Sequence, residues 1–168
     1  MIARKVMLLG EIGVGKSSIV QRLVFDRFDM QYKPTIGVDV YRYEVPATAT
    51  RPGMVLIVWD TDGNFGVSIF RHVYMREAAA AVIVADVSRP QTLETLAALE
   101  QGFREALPGR ATSLVVNKLD LLEPGKEIIL PEALVRPGIH LHRTSAKTGS
   151  NIGTVFADTA DAIDRRRL

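Results

Sequence analysis

Cysteine is absent from the 168 residues. That absence excludes disulfides and thiolate metal sites within these residues, and C-terminal prenylation is not expected. Neither sign of charge predominates: 21 Lys and Arg against 19 Asp and Glu leave a formal net charge of +2, too little to argue for nucleic-acid binding. Part of the surplus is Arg165, Arg166 and Arg167, which read as the solvated end of a helix rather than a binding patch. No apolar run approaches membrane-spanning length. With Met1-Ile2-Ala3-Arg4-Lys5 at the start, neither a signal peptide nor myristoylation of a second-position glycine is expected. Internal repeats, low-complexity tracts and linkers are also missing. The expectation is one globular domain over residues 1–168, located in the cytoplasm.

What the chain does have is alternation of short β-rich runs with helical patterns. Residues 6–9 (Val-Met-Leu-Leu) read as a buried strand, and residues 18–25 as an amphipathic helix. Residues 37–45 alternate as a strand and 54–59 form another, with 46–53 as a hairpin loop. The continuous apolar runs 79–85 and 112–116 suit buried parallel strands. Between them, Leu93, Leu96, Leu99 and Phe103 mark a helix over 91–106. Residues 139–142 suit a last strand, and 151–167 a closing helix with Ile152, Val155, Phe156, Thr159 and Ile163 on one face. Pro124, Pro131 and Pro137 leave room only for a short helix near 132–136. The pattern implies an α/β fold: a mostly parallel sheet with one antiparallel edge hairpin strand, flanked by helices on both faces.

The junction between the first strand and helix carries Gly10-Glu11-Ile12-Gly13-Val14-Gly15-Lys16-Ser17. It satisfies G-x-x-x-x-G-K-[ST] in the strand-to-helix context where that pattern has a mechanism. Its glycines let successive backbone N–H groups point at one anion, and the helix adds its positive dipole end. Lys16 would reach the β- and γ-phosphates, and the Ser17 hydroxyl would ligate Mg²⁺. These residues imply a nucleoside triphosphate. In parallel α/β sheets ligands sit at the carboxyl ends of the strands. Three further strands end in polar clusters: Asp60-Thr61-Asp62-Gly63, Asn117-Lys118-Leu119-Asp120 and Thr144-Ser145-Ala146-Lys147.

With these motifs in this order, the chain resembles the Ras-like small GTPases, and the Rab-type members most. The resemblance implies a P-loop small G-domain that binds GTP or GDP with Mg²⁺. It places Gly13, Val14, Gly15, Lys16, Ser17 and Ser18 on the phosphates, and Phe28 at the base edge. Asn117 would tie the base loop to the phosphate loop, Lys118 would lie along base and ribose, and Asp120 would accept both donors of guanine. Adenine lacks that donor pair, and an unpaired, desolvated aspartate would cost roughly 1–3 kcal/mol or more. The Ala146 N–H, flanked by Ser145 and Lys147, would meet guanine O6. Lys33-Pro34-Thr35-Ile36-Gly37 resembles the first switch, with Thr35 on Mg²⁺; Asp60 would hold a magnesium water and Gly63 the γ-phosphate. Lys16, Thr35 and Gly63 would thereby serve catalysis together with residue 64.

The chain departs from the family at Asp62, Asn64 and Ile12. Asn64 stands where a glutamine orients the attacking water, one methylene short, and misplacement by about 1 Å can cost on the order of a hundredfold. Ile12 puts a branched side chain where small residues are favoured, so hydrolysis is expected to be slow. Asp62 can face solvent, repel the γ-phosphate, or position water. Arg71 and Arg76 read as surface charges on the switch helix, with an arginine serving catalysis in cis as the other reading. Trp59 and Tyr74 match two of an apolar triad that Rab-like proteins present to partners, with Val40 in place of the usual aromatic; packing under the switch helix is the other reading. The expected function is a GTP/GDP switch with segments near 28–40 and 60–76, read by an effector and reset by exchange and activating factors. The alternative is a GTP-binding interaction module with negligible hydrolysis. With no lipid anchor expected, any membrane association would be indirect.

Overall fold

A computed structural model of the chain describes residues 1–31, 35, 37–63 and 75–168. The elements are β1 (Ile2–Gly10), α1 (Lys16–Phe25), β2 (Val38–Val45), β3 (Met54–Thr61), β4 (Ala78–Asp86), α2 (Gln91–Ala106), β5 (Ala111–Asn117), β6 (Leu141–Arg143) and α3 (Ile152–Arg165). They build a six-stranded sheet in the order β2-β3-β1-β4-β5-β6. Among the described strands only β2, paired with β3 from Val38↔Thr61 to Val45↔Met54, runs antiparallel. The other four pairings are parallel.

The apolar runs are continuous because both faces of the central strands are covered. Val6 and Leu8 of β1, with Val82 and Val84 of β4, pack toward one face against Ile19 and Val20 of α1 and Val155, Phe156 and Ile163 of α3. Met7 and Leu9, with Ala81 and Ile83, pack on the other face against Leu93, Leu96, Leu99 and Phe103 of α2. Alternate residues serve opposite layers, as the two-residue period of a strand requires. The helical positions expected from spacing in α2 and α3 are all buried.

Element ends differ from the sequence expectation where backbone conformation decides. Gly15 immediately precedes α1, so the helix takes in Lys16 and Ser17 rather than starting at residue 18. Asn151 and Arg167 adopt left-handed conformations, with φ 61° and 55°, and neither can lie inside α3. The last strand is shorter than 139–142 and shifted: only Leu141, His142 and Arg143 find partners, on Leu114, Val115 and Val116 of β5. The proline-rich stretch before it forms only a 3-10 turn, Glu132–Leu134. No helix among the described residues is long and apolar enough to cross a membrane. The parallel arrangement brings the carboxyl ends of β1, β3, β4, β5 and β6 to one edge.

Candidate nucleotide site

β1 delivers the chain to the phosphate loop at Gly10. Gly15 has φ 100°, and a Cβ built there would collide with the Asn117 amide, so both conformation and space demand glycine. The first N–H groups of α1 have no intrahelical acceptor and face the loop. Lys16 opens the helix, and its ammonium donates to the carbonyls of Gly10 at 2.8 Å and Glu11 at 3.1 Å. Burial pulls its pKa down to about 8, partly offset by the negative charges of Asp60, Asp62 and Glu11. Val14 is fully buried, while Ser18 is half-buried on the first turn.

Three oxygens from separate segments meet beside this loop. The Ser17 hydroxyl donates to Asp60 Oδ2 at 2.5 Å and lies 2.7 Å from Thr35 Oγ1. Since Ser17 has one proton, the Thr35 hydroxyl is the donor in the second contact. Asp60 is fully buried, and its Oδ1 has no hydrogen-bond partner among the described residues. Burial raises its pKa to about 6, against the lowering effects of Ser17 and Lys16. Oxygen donors with one buried, unmatched carboxylate oxygen fit a hard divalent cation such as Mg²⁺. Beyond Asp60, the Asp62 N–H donates to Gly37 O at 2.9 Å, joining the ends of the two expected switch segments. Gly63 abuts the loop so closely that a Cβ there would collide with the Ile12 backbone.

The base side is built by β5 and the residues after β6. Asn117 donates to Val14 O at 3.0 Å, while its Oδ1 accepts from the Thr144 hydroxyl at 2.9 Å and the Ala146 N–H at 3.2 Å. One amide thus fastens the phosphate loop to the segment expected to meet the base. Lys118 reaches across, donating to Gly13 O at 2.6 Å and lying 2.9 Å from Asp86 Oδ2. The Ser145 hydroxyl donates to Asp120 Oδ1 at 2.6 Å and orients that exposed carboxylate. Lys147 is exposed, and Phe28 is half-buried against the core between α1 and α3.

A sequence model of the Ras family matches residues 5–165. The chain belongs to the Ras family. Its relatives include the Ras-related protein Rab-22A of Canis lupus familiaris, 34% identical over 95% of this chain and 82% of that protein. The Ras-related protein Rab-31 of Rattus norvegicus is 36% identical over 90% of this chain and 78% of its own length. The GTP-binding protein ypt5 of Schizosaccharomyces pombe is 31% identical over 96% and 78%. Fold and relatives together make this Ras-family chain a small GTPase of the nucleotide-binding switch type, most similar to Rab proteins.

Several residues of the Ras-family site were not singled out by sequence. Arg89 donates to Ile12 O at 2.8 Å and pairs with Glu11 at 3.3 Å, while the Thr95 hydroxyl donates to Glu11 at 2.9 Å. The start of α2 thereby braces the phosphate loop. Arg22 of α1 donates to the carbonyls of Ala146 at 2.9 Å and Lys147 at 2.6 Å. Asp86 closes β4 and accepts from the Ser88 N–H at 2.8 Å. Its position at a parallel strand's carboxyl end was the signal that could have found it. Trp59 is half-buried against the α2-side core, with Lys5 Nζ 3.9 Å from its ring centroid; its cross-strand neighbour Val40 is 53% exposed. Lys33, Pro34, Ile36, Asn64, Arg71 and Tyr74 lie outside the described residues.

Proposed function

We propose that residues 1–168 form one G-domain acting as a GTP/GDP switch with Mg²⁺, hydrolysing GTP slowly to GDP. The observation that carries this reading is the meeting of Ser17, Thr35 and Asp60 beside Lys16. In it, Lys16 and the loop N–H groups hold the phosphates, and Asp120 with Ser145 selects guanine. Ser17, Thr35 and Asp60 would hold Mg²⁺, which when bound neutralises phosphate charge. Gly13, Val14, Gly15 and Ser18 line the phosphates, Phe28, Asn117, Lys118, Ala146 and Lys147 frame the base, and Gly63 meets the γ-phosphate. Loss of the γ-phosphate releases the segments near 28–40 and 60–76, and a protein partner reads the difference. The Val40–Trp59 pair supports a docking contact at that edge. A cytoplasmic location belongs to the same reading.

Slow hydrolysis is supported by Asn64 standing where the family has a glutamine and by the branched side chain of Ile12 in the phosphate loop. The same residues favour a second reading, a GTP-binding module with negligible hydrolysis. The nucleotide content of the purified protein, followed by single-turnover hydrolysis with and without Asn64→Gln, tests both. Bound guanine nucleotide is expected, with intrinsic turnover below roughly 10⁻⁴ s⁻¹ and a faster Asn64→Gln variant. Turnover at the ordinary family rate overturns the slow-hydrolysis reading. Turnover indistinguishable from zero in both proteins leaves the interaction module, and a protein that binds no guanine nucleotide refutes the switch.

A further inference from the structure

At the β6 edge of the sheet a second group of chemistry-bearing side chains converges. His142 lies in β6 and His140 stands one residue before the strand begins. Their rings lie edge to face with centroids 4.6 Å apart. Asp158 of α3 faces them, with its Oδ2 3.8 Å from His142 Nε2. One ligand atom from each of the three residues lies within 4.8 Å of the other two. His142 is buried and pairs across the sheet with Val115, a position that packing alone would fill with an apolar residue. Neither histidine contributes to the nucleotide site.

We propose that His140, His142 and Asp158 form a binding site for a divalent transition metal of the zinc type. Two imidazoles and one carboxylate are a donor set suited to borderline metals rather than to Mg²⁺ or Ca²⁺, which take oxygen. Tetrahedral zinc with bonds near 2.1 Å needs its ligand atoms roughly 3.4 Å apart. The observed spread of up to 4.8 Å is wider than that, so metal binding would draw the exposed His140 and Asp158 side chains inward toward the buried His142. A cavity of about 420 Å³ adjoins the three side chains and leaves room for water to complete the coordination. Arg165 lies on the same wall, while Asp161 beside it is paired with Arg51 at 2.6 Å. One carboxylate against one arginine gives no net negative field, so the site cannot hold a hard cation by charge. Imidazole coordination is what remains to bind an ion there.

The test uses the full chain loaded with GDP and kept in millimolar Mg²⁺, so that the nucleotide site is already filled. Zn²⁺ is titrated by calorimetry, and Co²⁺ by its visible absorption. One equivalent of zinc is expected to bind in the micromolar range, with tetrahedral Co²⁺ bands. H140A and D158N, both at exposed positions, should each weaken binding roughly tenfold or more, and H142A at least as much. GDP affinity should not change in H140A or D158N, which separates this site from the nucleotide site. Absence of stoichiometric zinc binding overturns the proposal. So does binding that persists unchanged in H140A and D158N, which would locate the metal elsewhere.

Discussion

At the scale of single residues, the phosphate side is governed by one buried cation and the acids around it. Lys16 is held at a pKa of about 8 chiefly by burial, and an incoming polyphosphate would raise it by supplying negative charge. Binding should therefore take up a proton above about pH 8, and nucleotide affinity should fall as pH rises through 8 and beyond. Calorimetry in two buffers of different ionisation enthalpy, from pH 7 to 9.5, reads the uptake directly; a flat affinity over that range refutes it. Asp62 is among the charges that raise Lys16, so its carboxylate acts on the residue expected to meet the phosphates. A carboxylate about 6 Å from a phosphate charge, at an effective dielectric near 20, costs about 3 kcal/mol at most. Asp62→Ala is accordingly expected to raise the GTP-to-GDP affinity ratio, by up to about a hundredfold. An unchanged ratio would show that Asp62 spends its charge elsewhere. The residues legible in sequence were those with a fixed spacing and a single chemistry, such as Lys16, Ser17 and Asp120. Arg89, Glu11 and Arg22 were not legible, because they act through backbone carbonyls and each other, and such partnerships have no sequence period.

At the scale of elements, periodicity carried most of the fold. The apolar spacing of α2 reproduced its limits, Gln91–Ala106, because a long amphipathic helix repeats its signal several times. Short β6 repeats nothing, and only pairing with Leu114, Val115 and Val116 defines it. The hairpin between β2 and β3 was visible as a loop, but its anchor was not. Arg51, buried in that loop, donates to Asp161 of α3 at 2.6 Å and to the carbonyls of Pro52 at 2.7 Å and Pro46 at 3.0 Å. A lone arginine among turn residues reads as solvent-exposed, and only the tertiary approach of α3 makes it structural. Asp161→Asn would leave that guanidinium buried with a neutral partner. A loss of about 1–3 kcal/mol is expected in denaturant unfolding, and no measurable loss would mean that the two proline carbonyls suffice.

At the scale of the whole molecule, the parallel sheet gathers polar strand ends at one edge, and hydrogen bonds fasten them into one unit. Asn117 joins the phosphate loop to the segment after β6, and the Asp62 N–H joins the segments on either side of the Ser17, Thr35 and Asp60 oxygens. Asp60 sits at the centre of this unit, where Oδ1 has no partner among the described residues and burial raises the carboxyl pKa to about 6. Its folded pKa exceeds its unfolded one, so its contribution to stability is complete below about pH 4 and is lost as pH rises through 6. At neutral pH the nucleotide-free fold therefore carries an ionised, poorly matched carboxylate. Asp60→Asn should relieve that cost: the nucleotide-free variant should melt above the wild type at pH 7.5, with the gap narrowing toward pH 4.5. Adding GDP with Mg²⁺ should reverse the order, because only the wild type offers a carboxylate to the cation. A ligand at about a thousand times its Kd stabilises by about 4 kcal/mol, and chelation by EDTA should abolish most of the wild-type gain. Thermal unfolding of the two proteins, with and without GDP, Mg²⁺ and EDTA, decides the matter. If Asp60→Asn gains as much from GDP and Mg²⁺ as the wild type, the buried carboxylate is not what couples the metal to the fold.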